Sequence, residues 1–296
     1  MKKLFMLLAV CCTLFLVFGC SDTPRITDPG SDTASLGPLV QRPEFVDTRP
    51  AATIESFMVK PTESNFVAFK PPKPPPDTGG GSDPNPNPAH KYALIVGISD
   101  YEGTANDLQY CDDDAQEMKS YYQSQGFTIQ ILLDRNATAD NIQAGLEWLM
   151  AQAVAGDEIA FAYSGHGAKY NPYGSCLIST DLYYLTNAFI MQYINGANCT
   201  KKNITIDACQ AGSFLSAGAN GEVIATASNT TYSYDAPTLQ NGAWTYYWLY
   251  GVNSAGKIYA EDAATYAEAG MKAWASANHV KVSPAHTDLY TGSLDM

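Results

Sequence analysis

Two short stretches carry side chains that could do chemistry together. In YSGHG, residues 163–167, a histidine stands between two glycines where an apolar run ends. DACQAGSF, residues 207–214, places a carboxylate two positions before a cysteine. A thiol beside an imidazole is the minimal equipment for acyl transfer: the ring takes the thiol proton, and the thiolate attacks a carbonyl carbon. Cys209 would be the nucleophile and His166 the base. Gly167 and Gly212 would leave room for a substrate backbone to approach and for amides to face an oxyanion. Each stretch alone is ordinary turn or strand-end sequence. The chemistry follows only if the fold brings both to one edge.

The elements that must do so can be read from periodicity. KYALIVGI (91–98), FTIQILL (127–133) and DEIAFAYS (157–164) are apolar runs of strand length, as expected of strands covered on both faces. Between the first two, Leu108, Cys111, Ala115, Met118 and Tyr122 recur at helical spacing, with Gly126 as a stop. Between the second and third, Ile142, Leu146 and Leu149 form one helical face behind Thr138, a residue suited to an N-cap. A further helix is expected over 185–197, strands over 203–209 and 221–228, and helices over 242–252 and 261–277. This alternation specifies an α/β fold with a mostly parallel central sheet and helices on both faces. Ligands of such sheets bind at the carboxyl ends of the strands, which is where His166 and Cys209 fall. Trp244, Tyr246, Tyr247, Trp248 and Tyr250 are expected as helix and core packing. His279 and His286 have no partner pattern and are expected to face solvent.

Composition narrows the class. Of 296 residues, 17 are Lys or Arg and 30 are Asp or Glu, a formal charge of −13 that argues against binding nucleic acid. MKKLFMLLAVCCTLFLVFGC has the layout of an export signal over residues 1–19 and resembles a bacterial lipoprotein signal. Cys20 would then carry the lipid, and the protein would be exported and membrane-anchored on the periplasmic or cell-surface side. Residues 20–89 end in KPPKPPPDTGGGSDPNPNP and read as a Pro/Gly-rich tether or pro-segment; within them TIESFMVKPTESNFVAFK (53–70) could dock on the domain or act as a pro-segment, with solvated spacer the favoured reading. Residues 90–296 form the folded domain. Setting aside Cys11, Cys12 and Cys20 leaves Cys111, Cys176, Cys199 and Cys209, too few for a disulfide scaffold, with Cys176–Cys199 the pair expected by elimination. Four Asn-x-Ser/Thr patterns are present, but a bacterial lipoprotein would leave them bare.

YSGHG together with DACQAGSF resembles the caspase–metacaspase group of cysteine peptidases, and within it the bacterial metacaspase-like branch. KYALIVGISDY is similar to that family's first strand, NDLQYCDDDA to its Leu-x-x-Cys-x-x-Asp-Ala segment, and NGAWTYYWLYGV to the helix after its fifth strand. The resemblance covers roughly residues 90–260 and implies a caspase-like (caspase-hemoglobinase) sandwich. It implies a Cys209–His166 dyad with an oxyanion hole made by the amides of Gly167 and Cys209. It also implies an acidic specificity pocket of Asp114, Ser164 and Asp207, with Cys111 beside it. Recessed carboxylates favour Arg or Lys, Arg especially through bidentate contacts. The implied activity is therefore hydrolysis of peptides or proteins after a basic residue, with no cofactor required for the chemistry.

Two departures from the family pattern stand out. Gln210 follows the cysteine where many metacaspases have histidine. The segment between His166 and Cys209, often a basic self-cleavage region, has only Lys169, Lys201 and Lys202, so processing would fall near Lys70 or Lys73 or not occur. Calcium activation is left open: the ion wants six to eight oxygens, and Asp181 is the one candidate ligand that stands out. A legumain-like or clostripain-like peptidase of the same fold, a degenerate peptide-binding surface lipoprotein and a transpeptidase are the alternatives.

Overall fold

The apolar runs become strands of one buried sheet, and the loops at its carboxyl edge carry the chemistry. The computed structural model describes residues 39–51 and 82–296. A short strand β1 (Val40–Gln41) is followed by β2 (Lys91–Gly97), α1 (Cys111–Ser124), β3 (Thr128–Leu133), α2 (Ala139–Gln152) and β4 (Glu158–Ser164). Next come β5 (Gly167–Lys169), β6 (Ser175–Ile178), β7 (Tyr183–Thr186), α3 (Asn187–Gly196), β8 (Lys201–Asp207) and β9 (Glu222–Thr226). Beyond them lie β10 (Asp235–Ala236), β11 (Asn241–Gly242), α4 (Ala243–Asn253), α5 (Ala260–Ala277) and β12 (Ala285–Asp288). Thr138 caps α2 as its sequence position predicts, its side chain accepting from the Asn141 amide at 3.2 Å.

The central sheet has the order β12-β9-β8-β4-β2-β3, parallel except for β12, which runs antiparallel to β9. Alternate residues of one strand enter opposite layers. Leu94 and Val96 of β2 pack with Ile142, Leu146 and Ile190 of α2 and α3. Ala93 and Ile95 of the same strand pack with residues of α1, α4 and α5. On that second face the strands present small side chains (Ala93, Ala160, Ala162, Ala225), and the helices fill the space with Trp244, Tyr247, Trp248 and Trp274, all fully buried. The aromatic cluster of α4 is thus core. No helix among the described residues is long and apolar enough to cross a membrane.

A second sheet, β1-β7-β6-β5, is antiparallel, and its strands β5 to β7 lie in the first half of the segment between His166 and Cys209. Strands of three or four residues are too short to show a period, so the sequence did not announce them. Lys201 and Lys202 do not belong to an exposed basic insert: they open β8 and are buried, Lys201 against Asp83 (2.8 Å) and Lys202 against Glu222 (3.4 Å). The expected Cys176–Cys199 disulfide is absent, and all four described cysteines are free thiols. Cys176 lies in β6, where its thiol donates to the Ala168 carbonyl at 3.2 Å, while Cys199 sits at the opposite, amino end of β8. His286 is half-buried and faces Glu268, with Nδ1 2.6 Å from the carboxylate, rather than open solvent.

Residues 39–51, inside the stretch read as a tether, lie on the domain, while residues 53–70, where a solvated spacer is expected, lie outside the described residues. Val40 pairs with Tyr184 as β1 adds to the edge of β7. The Arg42 guanidinium stands 4.7 Å from the Tyr170 ring, and Phe45 is buried. Apolar and aromatic area removed from water is what the sequence reading underweighted here. The export signal, Cys20, Lys70 and Lys73 lie outside the described residues.

Candidate active site

Ser164 ends β4, Asp207 ends β8, and the two are register partners in neighbouring parallel strands. The Gly165 amide donates to the Asp207 carbonyl at 3.1 Å, extending the pairing past the strand ends. His166 and Cys209, each two residues further on, therefore leave the sheet side by side and line one cleft of about 20 Å³ with Ser164, Asp207 and Asp235. The glycines do something other than expected. A Cβ on Gly167 would collide with the Cys209 backbone, and one on Gly212 with Asn229. They allow close approach within the fold, not an opening for a substrate.

His166 is buried and held on three sides. Its Nε2 lies 2.8 Å from the Asn106 carbonyl, which can only accept, so Nε2 carries the proton and Nδ1 keeps the lone pair. Its amide donates to the Tyr101 hydroxyl at 2.8 Å, and its ring packs 4.8 Å from Tyr101 and 5.2 Å from Phe45. Burial, with the nearby Arg49 charge adding to it and Asp47 opposing, lowers the imidazole to about 4. Cys209 Sγ accepts from the Ser233 amide at 3.3 Å and donates to the Ser233 carbonyl at 3.7 Å. Burial pushes this thiol up to about 11, although Arg49 draws it down. In this arrangement both groups are neutral across the middle of the pH range.

Three carboxylates sit below and beside the pair. Asp114 accepts from the Ser164 hydroxyl (2.7 Å), the Asn241 amide (3.0 Å) and the Gly242 backbone (3.0 Å). Asp207 accepts from the Thr245 amide and hydroxyl, both at 3.0 Å, and from the Ser233 hydroxyl. A Cβ on Gly242 would meet both carboxylates, so one glycine separates them. The expected trio of Asp114, Ser164 and Asp207 is thus brought together around one small cavity, and buried Cys111 lines the neighbouring cleft that holds His166 and Cys209, with Ser164 and Asp207 shared by both. Burial first, then the charge of Asp207, holds the Asp114 carboxyl well above its ordinary range, and burial raises Asp207 to about 6.

Sequence reasoning missed Asp235, Ser233, Asn106, Tyr101 and Arg49. Asp235 accepts from the Gln109 amide at 2.9 Å and faces the Cys111 thiol. Burial raises it and the Arg49 charge opposes the rise. Arg49 reaches the cleft from outside the domain, its side chain only 8% exposed. Its Nε and Nη2 donate to Asp47 at 2.9 and 2.7 Å, and Nη1 donates to the Ser233 carbonyl at 3.4 Å. The one available signal was EFVDTRP, an apolar and charged heptapeptide inside a stretch otherwise read as linker.

Gln210, where the family pattern often has histidine, adopts a left-handed backbone (φ 52°) and accepts from the Lys169 amide at 3.0 Å. Asp181 accepts from the Ala139 amide (2.9 Å) and the Ser179 hydroxyl (2.6 Å), so it acts within the fold as a backbone anchor. No group of three or more His, Cys, Asp or Glu side chains that could hold a metal ion occurs among the described residues.

A family model described as Caspase domain matches residues 90–287. Metacaspase-3 of Arabidopsis thaliana is 33% identical over 102 residues, 31% of this chain and 28% of that protein. Metacaspase-7 of the same plant is 29% identical over 147 residues, 42% and 36% of the two chains. Metacaspase-2 of Trypanosoma brucei brucei is 36% identical over 88 residues, 26% of this chain and 25% of its own length. The chain therefore spans well under half of each of these relatives. The crystal structure of a protein from Geobacter sulfurreducens superposes with a TM-score of 0.54, covering 70% of this chain and 97% of that one at 15% identity, a likeness of fold.

Proposed function

Because the chain belongs to the caspase domain family, whose members include cysteine peptidases, we propose that it is a cysteine endopeptidase cleaving after Arg or Lys. Cys209 is the nucleophile and His166 the base. With Nε2–H fixed on the Asn106 carbonyl, Nδ1 takes the thiol proton and the thiolate attacks the substrate carbonyl. The Gly167 and Cys209 amides hold the oxyanion, and the imidazolium gives its proton to the leaving amine. Water, deprotonated by the same ring, then releases the thioester as a carboxylic acid. These steps use the chain's own groups, and calcium remains a modulator to be tested.

The observation that supports the specificity is the set of buried Asp114 and Asp207 with half-buried Asp235, the last two lining the cleft of His166 and Cys209 and Asp114 lying behind Ser164. A substrate guanidinium would favour the charged forms of these carboxyls, which burial disfavours, and that is how such a recess becomes selective for a cation. The Arg49 side chain lines this cleft with its guanidinium paired to Asp47, and its charge is felt at Asp235, which supports a cation at the mouth. We further propose that the protein is exported and held at a membrane by lipid on Cys20, its substrates being peptides or proteins. The test uses matched fluorogenic peptides ending in Arg, Lys, Asn or Asp, with calcium and with chelator. Turnover confined to Arg and Lys supports the reading; preference for Asn or Asp overturns it.

A further inference from the structure

The segment 39–51 meets the cleft at several points. β1 adds to the exposed edge of β7, and the Arg42 amide donates to the Leu182 carbonyl at 2.8 Å. Phe45 packs edge-on against His166 at 5.2 Å and against Tyr184 at 6.0 Å. Asn106 clamps the chain between: its side-chain amide donates to the Phe45 carbonyl at 3.0 Å, and its side-chain oxygen accepts from the Asp47 amide at 3.2 Å. Arg49 then lies among His166, Cys209, Asp207 and Asp235, leaving a residual space about the size of one water. A substrate backbone cannot reach the thiol along this route while the segment stays.

The residue after Arg49 is Pro50. A bond from Arg to Pro is a tertiary amide with no N–H and a bulky ring on the leaving side. The segment therefore places an Arg side chain, its charge shared with Asp47 and acting on Asp235, at the cleft, followed by a bond poorly suited to cleavage.

We propose that residues 39–51 are a built-in inhibitory segment, a pseudosubstrate that covers Cys209 and His166 through Phe45 and Arg49 and must be displaced before a peptide binds. The substrate class it mimics rests on the function proposed above; the covering itself does not. The neutral thiol and neutral imidazole of the docked arrangement are consistent with a latent state, since both shifts come first from burial.

The experiment uses the full chain and its Arg49→Ala and Phe45→Ala variants, with thermal melts to establish that each is folded. Alkylation of Cys209 by iodoacetamide, read by mass spectrometry, reports access without requiring turnover. Hydrolysis of an Arg-ended peptide is measured in parallel. Displacing the cover should raise the alkylation rate at least about tenfold and lower KM more than it changes kcat, because only the uncovered fraction binds. Unchanged alkylation in both folded variants overturns the proposal. Faster alkylation with no cleavage after Arg or Lys supports the cover and overturns the proposed specificity instead.

Discussion

The carbonyl oxygen of Asn106 lies 2.8 Å from Nε2 of His166, while the side chain of the same residue grips Phe45 and Asp47. One loop residue thus fixes the tautomer of the base and holds the segment that covers it. The backbone half of this arrangement survives any substitution that leaves the loop in place; the side-chain half does not.

Asn106→Ala should therefore loosen the segment. Cys209 should react faster with iodoacetamide, while the pH profile of turnover stays where it was, because the carbonyl still sets the ring. A shifted profile with unchanged alkylation would mean that the side chain positions the His166 loop instead.

The acidic recess should be read in KM. Asp235→Asn removes one charge facing the proposed Arg side chain, and a charge-assisted contact contributes about 1.5–3 kcal/mol. KM for an Arg-ended peptide should rise roughly ten- to hundredfold, with a smaller change in kcat. An equal loss in kcat would place Asp235 in the chemistry and not in binding.

Stability should depend on pH through Asp207 with a definite sign. Burial raises its carboxyl from 3.8 to about 6, so between those values the folded chain holds a proton that the unfolded chain has released. Its contribution falls as pH rises through that window. His166 works oppositely: its value drops from 6.5 to about 4, and its contribution grows as pH rises. Asp207→Asn removes the first effect and leaves the second. Urea midpoints should shift in favour of the variant on going from pH 4 to pH 6; a difference that does not change with pH would contradict the buried carboxyl.

Gly167→Ala tests the close packing behind the pair. A methyl there collides with the Cys209 backbone, so β5 or the Cys209 loop must move. Overpacking of this kind costs about 1–3 kcal/mol, which a thermal melt would register. Wild-type stability would mean that the loop yields freely.

β2 and β4 were legible because they are seven-residue, mostly apolar runs buried from end to end or nearly so, whereas β8 (KKNITID) was seen only through Ile204 and Ile206, its buried lysines hiding its start. The meeting of His166 and Cys209 followed from that topology, since both lie two residues past registered strand ends. β5 to β7 escaped because three- and four-residue strands carry no period. Asp235 escaped because its environment is assembled from Gln109, Cys111 and Arg49, all more than a hundred residues before it in sequence. Arg49 and Phe45 were read as linker because Pro-rich composition describes a chain's stiffness, not what it touches. The Cys176–Cys199 pairing failed for a related reason: elimination counts thiols but holds no distances.

The central claim is a Cys209–His166 peptidase acting after basic residues. The most direct measurement is turnover of Arg-ended fluorogenic peptide by the full chain and its Arg49→Ala variant, each with and without Cys209→Ala. The account predicts turnover that Cys209→Ala reduces by a factor on the order of 10³ or more, in keeping with removal of a nucleophile. Cleavage that continues unchanged without the Cys209 thiol would contradict it.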